Sequence, residues 1–463
     1  SSESAPFSRG LVLPAHSYFL ASRPIADMSR VLDGVITRES AAELDAAPGT
    51  LLGGASSAPP RQASLLSGSL NLLNTIVGGG ILALPFAFRS SGLVAGVLSQ
   101  LVFGGMSWHG CMLLLRAARR AELAKATYED LARVALGRPG WLAYHGCAFV
   151  NCFGSCVSYV IVVGDVLHPL AASAGLSIGR PPLLLLAVGL VIFPLASLRD
   201  ISSLRFASGA AIAIYAVFVL ALLCLWADGP PPQQPPSAFQ SSVAGYVRAV
   251  PICAFAFMCQ TSLFPIYGET DQPTPSRVRR LTGAAFAAAG SLYVLTGVAA
   301  YCHFGEDLRG NVLLNLAALP SPAIRAVRLA FATSICLTYP CLHFAARCSL
   351  DQLLFRERRA GRRVPLTLAI VGSSLLLALV VERVEVVFGF TGAAASTALS
   401  FGLPAAIDLR LGRAAALRER AGSWALLLVG SGLGAVSLAN HARDVILEAS
   451  AAAPVAAAAR RVW

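Results

Sequence analysis

Apolar runs long enough to cross the roughly 30 Å of a bilayer's hydrocarbon core recur along this chain. They fall at about 66–90, 92–116, 141–171, 182–198, 204–226, 248–268, 281–303, 323–349, 364–381, 386–408 and 422–440, with short polar loops between them. The pattern predicts eleven membrane-spanning helices over residues 64–441, the fourth being the shortest. Residues 1–63 are rich in Ser, Ala, Pro and Gly with mixed charge and no sustained periodicity, which predicts a disordered cytosolic tail. That tail shows no basic n-region followed by an apolar h-region, so the first span is expected to act as the insertion signal. Residues 442–463 are expected to form a short extracytosolic tail.

Two spans break the apolar pattern. Asn71–Phe86 reads NLLNTIVGGGILALPF, with two amides and three consecutive glycines where a lipid-facing helix needs neither. An interrupted helix exposes backbone donors and acceptors at membrane depth, and these are stable only if buried in protein or lining a ligand cavity. The sixth span, Ala249–Glu269, carries Gln260, Thr261 and Ser262 at its centre with Pro265 after them, as Pro85 follows the glycines of the first. Interrupted segments five helices apart predict two five-helix repeats of inverted topology, about 64–226 and 248–408, with a site between them at the midplane. The 422–440 helix is then an addition, and Gly229–Pro236, nearly all Pro and Gln, is a stiff extended linker at the repeat boundary. The expected fold class is an all-α polytopic membrane protein with helices 1 and 6 broken.

Composition agrees: 56% of residues are hydrophobic, 13% are charged, and mean hydropathy is +0.67. A net charge of +12 would suit a nucleic-acid binder, but the arginines sit in clusters between spans, at Arg116–Arg120, Arg277–Arg280, Arg356–Arg363 and Arg410–Arg420. With the N-terminus in the cytosol these clusters all fall inside, so the positive-inside rule accounts for the charge, and no nucleic-acid partner is expected. The 11 cysteines lie mostly in apolar segments, and Cys152 and Cys156, one helical turn apart, read as buried small hydrophobes better than as a metal or redox pair. No NxS/T sequon is present. Thr127-Tyr128-Glu129-Asp130-Leu131 has an N-cap and early acids, which predicts a short amphipathic surface helix.

The candidate chemistry comes from helix ends. At the first break the N–H groups of Gly79, Gly80 and Ile81 would favour an anion such as a carboxylate, and glycines allow a ligand to approach the backbone closely. Freed carbonyls near Asn74 and Val77 suit a hard cation. In the eighth span, Ser334 and Thr338 share a helix face and Pro340 frees the Cys336 carbonyl. Oxygens without full charge fit sodium better than calcium or magnesium, which recruit carboxylates. Two plainer readings stand beside these: the glycines permit close helix packing, and the hydroxyls bond back to their own helix. Intramembrane ionisable groups are further candidates: Asp165, as a proton relay, an outer gate or a structural partner for a nearby donor, and His168, His109, His303 and His343, the last expected to be a satisfied buried histidine. No nucleophile with a base, metal cluster or phosphate loop is present, which argues against an enzyme.

The residues also carry a resemblance. NLLNTIVGGGILALPFAF resembles the first-helix signature of the amino acid/auxin permease family, in particular its sodium-coupled neutral amino acid transporter branch. The same holds for YVIVVGDVL from Tyr159, FPLASLRDISSL from Phe193, FAFMCQTSLFPIYGE from Phe255, FGEDLRGNVLLNL from Phe304, LTYPCLHFAARCSL from Leu337 and VFGFTGAAASTALSFGLPA from Val387, in order along the chain. The resemblance implies a LeuT-type 5+5 inverted repeat carrying small neutral amino acids by alternating access, as a monomer, in the plasma membrane or a vacuolar or lysosomal membrane. It implies sodium as the coupling ion, with Asn74 and Thr338 matching positions associated with it; the residue reading adds Val77 and Ser334. No other cofactor is expected, and a proton remains an alternative coupling ion. Substrate carboxylate and amine would meet Val77, Gly78, Gly79 and Gly80, and the substrate side chain Phe257, Cys259, Gln260 and Thr261. Many members have His where Gln260 stands, and many have a long outer loop with paired cysteines that is short here. An amino-acid sensor acting through the N-terminal tail is a second class of reading.

Overall fold

Backbone polar groups in hydrocarbon must be satisfied within their own segment or by close neighbours. The computed structural model describes residues 65–123, 126–198, 205–269, 274–355 and 360–459, and every regular element among them is helical. The predicted tail over 1–63 lies outside the described residues, as do Lys125, Arg199, Arg356, Arg358 and Arg359.

Nine helical segments among the described residues are long and apolar enough to cross a membrane. The two other predicted spans are built differently. The first is split into α1 (Leu65–Ile76) and α2 (Leu84–Ser91), joined by a 3-10 turn at Gly79–Leu82. The fourth is the Arg180–Ala196 run: α5 (Arg180–Ala187), a widened π turn at Val188–Ile192 and one last turn. Between them run α3 (Leu93–Arg120) and α4 (Tyr128–Ser173), and α6 (Arg205–Asp228) closes the first repeat. Thr127 caps α4 by accepting from the Asp130 N–H at 3.1 Å. At Gly137, φ is +69°, which kinks α4 where the amphipathic turn meets the span.

The second repeat begins with α7 (Val243–Ala256) and α8 (Gln260–Glu269), which part at Phe257–Cys259. Then come α9 (Pro275–Phe304), the short α10 (Val312–Ala317), α11 (Pro322–Leu354) and α12 (Arg363–Val380). The tenth span starts as α13 (Val384–Thr391), passes through two π-widened stretches at Gly392–Ser396 and Ala398–Gly402, and ends as α14 (Leu403–Leu411). The last helix, α15, covers Leu417–Ala459.

The most extensive packing is between α4 and α11, and α9 lies against α1, α3 and α6. The linker is tied down: Leu93 and Val94 donate to the Ser237 and Ala238 carbonyls at 2.8 and 3.0 Å, which pins its end to the corner between α2 and α3. Polar clusters stand at the two ends of the bundle. At one end Asp408 on α14, fully buried, binds Arg116 at 2.8 and 2.6 Å, Arg120 at 3.0 Å and Ser423 at 2.7 Å. At the other end Asp165 on α4 pairs with Arg180 at 3.0 Å and accepts from Asn311, the N-cap of α10, at 2.9 Å. Beside this second cluster lies a cavity of about 430 Å³ lined by Phe86, Arg89, Asn311, Glu385 and neighbouring residues.

Candidate functional site

The first break opens because α1 ends at Ile76 and the next helical hydrogen bonds start only at Gly78. Val77 N–H still bonds the Leu73 carbonyl at 2.8 Å, Ile81 N–H bonds Gly78 at 3.3 Å, and Ala83 N–H bonds Gly80 at 3.1 Å. The Ile81 donor expected to be free is therefore used, and the N–H groups of Gly78, Gly79 and Gly80 are the ones without a backbone acceptor among the described residues. On the other side of the break the Asn74, Thr75 and Val77 carbonyls accept no backbone bond among the described residues. Donors at the start of one half-helix and acceptors at the end of the other thus lie within a few residues of each other.

Space explains the glycines. A Cβ on Gly79 would stand 2.7 Å from Tyr159 Cε1, and one on Gly80 would stand 3.3 Å from Ala256 Cα, so the first break touches both α4 and the second break. The Tyr159 ring lies against Gly79, and its hydroxyl stands 3.6 Å from where a Gly78 Cβ would be. The helix that carries Tyr159, α4, also packs along α11. Close packing and an open donor set are both present at these glycines, so the two readings of them are compatible.

At the second break Gln260 does more than line a pocket. Its Nε2 donates to Ser107 Oγ at 2.8 Å and to the Ser107 carbonyl at 3.2 Å; its Oε1 accepts from Ser400 Oγ at 2.9 Å and from the Cys259 N–H at 3.0 Å. Two donors and two acceptors are all an amide has, so Gln260 has no capacity left for a ligand in this conformation. Ser107 Oγ in turn donates to the Phe257 carbonyl at 2.7 Å. Phe257 and Cys259 are fully buried, with Cys259 Sγ 4.0 Å from Cys111 Sγ, whereas Thr261 is half-buried.

On α11, Thr338 Oγ1 donates to its own helix at Ser334 O, 2.9 Å away, as the plainer reading held. Donation uses the hydroxyl hydrogen and leaves the oxygen able to accept. Ser334 Oγ is buried near the Tyr215 hydroxyl but makes no hydrogen bond of normal geometry. Asn74 is half-buried, and Val77 is buried on the break itself. Of the ionisable candidates, His168 is exposed, and Asp165 is committed to Arg180 and Asn311. His343 is buried against Tyr339, yet its Nε2 has no hydrogen-bond partner among the described residues, so the expectation of a satisfied histidine does not hold there.

Sequence reasoning missed Tyr159, Tyr293, Ser107 and Ser400. The available signal was weak: a tyrosine within an apolar span must find a partner for its hydroxyl, but nothing local says which. Tyr293 on α9 donates its hydroxyl toward the Ile76 carbonyl at 2.7 Å and the Ala256 carbonyl at 2.9 Å, which are the last helical residues before the two breaks.

Three comparisons bear on this geometry. Residues 61–438 match the family model described as transmembrane amino acid transporter protein. Among curated relatives, amino acid transporter AVT6E of Arabidopsis thaliana is 28% identical over 78% of this chain and 79% of its own length. Solute carrier family 38 member 10 of Mus musculus is 29% identical over 73% of this chain, a match spanning 32% of that longer protein. Vacuolar amino acid transporter 5 of Schizosaccharomyces pombe is 28% identical over 75% of this chain and 84% of its own length. The crystal structure of MhsT in complex with L-phenylalanine superposes with a TM-score of 0.53 at 13% identity, over 83% of this chain and 100% of that one. The fold is thus the LeuT type, with inverted repeats and helices 1 and 6 broken.

Proposed function

This chain belongs to the amino acid/auxin permease family of transmembrane amino acid transporters, and we propose that it carries small neutral amino acids by alternating access in symport with sodium. The observation that carries the reading is the first break, where the Gly78, Gly79 and Gly80 N–H groups and the Asn74 and Val77 carbonyls, none of them in a backbone bond among the described residues, flank the break beside Tyr159. A zwitterion has the matching charges: its carboxylate takes the N–H groups and the Tyr159 hydroxyl, and its ammonium takes carbonyl oxygen. Its side chain lies toward Phe257, Cys259, Gln260 and Thr261. Because the Gln260 amide is saturated by protein, selectivity there comes from shape more than from hydrogen bonding.

Sodium is held by oxygens of Asn74, Val77, Ser334 and Thr338. The unpartnered Ser334 hydroxyl supports this assignment, because a buried polar oxygen without a partner is costly unless a ligand satisfies it. None of these oxygens titrates near neutral pH, which favours a metal ion over a proton. One chain holds both halves of the site, so a monomer suffices, with the N-terminus in the cytosol and the C-terminus outside.

Uptake into proteoliposomes tests the reading, with a panel of amino acids and with sodium and proton gradients imposed separately. Uptake of small neutral amino acids driven by sodium is expected. Uptake driven by the proton gradient alone would replace the coupling ion, and no flux under either gradient would overturn transport in favour of sensing.

A further inference from the structure

We propose that Tyr293 is a positioning residue that locks the two helix breaks together, its single hydroxyl standing between the carbonyl ends of α1 and α7. The inference rests on the transport reading, since it concerns how the same two breaks are held.

The first half of each broken helix, α1 or α7, ends at its break with its C-terminus, where the backbone dipole leaves roughly half a negative charge. Ile76 and Ala256 are the last residues of α1 and α7, and both carbonyls converge on Tyr293, at 2.7 and 2.9 Å. Two like dipole ends brought together away from water repel each other unless something positive stands between them. Here the hydroxyl hydrogen of Tyr293 is that positive group.

The ring is in no position to wander. Tyr293 is fully buried, and it meets the Phe257 ring edge-on with centroids 5.1 Å apart. Phe257 itself lies in the second break, so the same tyrosine contacts that break by both ring and hydroxyl.

A hydroxyl has one hydrogen and two acceptors here, so it is shared between the two carbonyls or alternates between them. The arrangement therefore joins α1 to α7 through a third helix, α9, and the join weakens whenever either end withdraws. It also occupies the Ile76 carbonyl, which leaves the Asn74, Thr75 and Val77 carbonyls without a backbone bond at this end of the first span among the described residues. Gly80, with Ala256 Cα 3.3 Å from where its Cβ would be, supplies the other contact between the breaks. That contact has no directional bond, so the hydroxyl is the specific part of the join.

The test is Tyr293→Phe in the full chain, which keeps the ring and removes only the hydroxyl, with Ser291→Ala on an exposed turn of the same helix as control. Hydrogen exchange by mass spectrometry reads the bonded amides that flank the two breaks, Val77 and Ile81 at the first and Phe257 and Met258 at the second. In the tyrosine variant both sets are expected to exchange about tenfold faster, together, and Ser291→Ala is expected to match the unmodified chain. In uptake assays KM for the transported amino acid is expected to rise about tenfold at unchanged abundance in the membrane.

Unchanged exchange, or a change at one break only, overturns the proposal. If Tyr293→Phe does not accumulate, the unmodified chain decides: the two sets of amides must show equal protection, and unequal protection overturns it. Exchange does not depend on flux, so an unmodified chain that transports nothing sinks the transport reading while this proposal is still decided.

Discussion

A valine at Gly79 would drive its side chain into the Tyr159 ring, whose Cε1 is 2.7 Å from where a Cβ would stand. Gly79→Val is therefore expected to abolish uptake while the protein still reaches the membrane, and normal uptake by it would refute the reading of the break as a substrate site. Thr338 poses a subtler case, because its hydroxyl hydrogen is already given to Ser334 O at 2.9 Å. Back-bonding of this kind orients lone pairs and does not remove them. Thr338→Ala is expected to raise the sodium concentration for half-maximal uptake about tenfold with a smaller effect on maximal rate, the loss of one ion ligand costing about 1.4 kcal/mol. An unchanged sodium dependence would remove Thr338 from the ion site. The glycines and hydroxyls were legible in the sequence because such residues are out of place in an apolar span. Tyr159 and Tyr293 were not, because each is a common residue whose neighbours, Gly78 and Gly79 for one and Ile76 and Ala256 for the other, are set only by the folded helices.

Broken helices announced themselves through Gly78-Gly79-Gly80 and through Pro85 and Pro265, residues whose backbone preferences are local. The π stretches did not: GAAAS and ALSFG read as ordinary helix. Their widening goes with contacts to distant residues, including Ser396 on Asn151 at 2.9 Å, Ser400 on Gln260 at 2.9 Å, and the Pro251 carbonyl 2.0 Å from where a Gly392 Cβ would be. The Gln260 amide then ties α8 to α3 through Ser107 and to the tenth span through Ser400. Away from the site, α14 is clamped to α3 by Asp408, which holds two guanidiniums with its own side chain fully buried. Asp408→Asn leaves Arg116 and Arg120 without a counter-charge. Their side chains are 29% and 22% exposed and can reach water, so the expected loss is about 2 kcal/mol, below the usual cost of breaking a fully buried pair. A fall in thermal unfolding temperature of the purified protein checks it; an unchanged value would show that the clamp contributes no net stability.

At the scale of the whole molecule, the spans and their order were readable because a bilayer permits few solutions for an unpaired backbone, and each span must supply its own hydrogen bonds. The repeat boundary was readable from the Pro and Gln linker, whose end the structure fixes across the corner between α2 and α3. What joins the repeats was not readable, since Gln260 on Ser107 and Tyr293 on Ile76 pair residues 153 and 217 positions apart. The two π stretches have one more effect, on angular phase. Each adds a residue to the turn it occupies, and one residue is about 100° of an ordinary helix. Two extra residues turn everything after Gly402 by about 200°, so that a tenth span of unbroken α-helix would carry Asp408 to the side away from Arg116 and Arg120. The distortion beside the site thus sets the compass bearing of the clamp at the far end of the same helix.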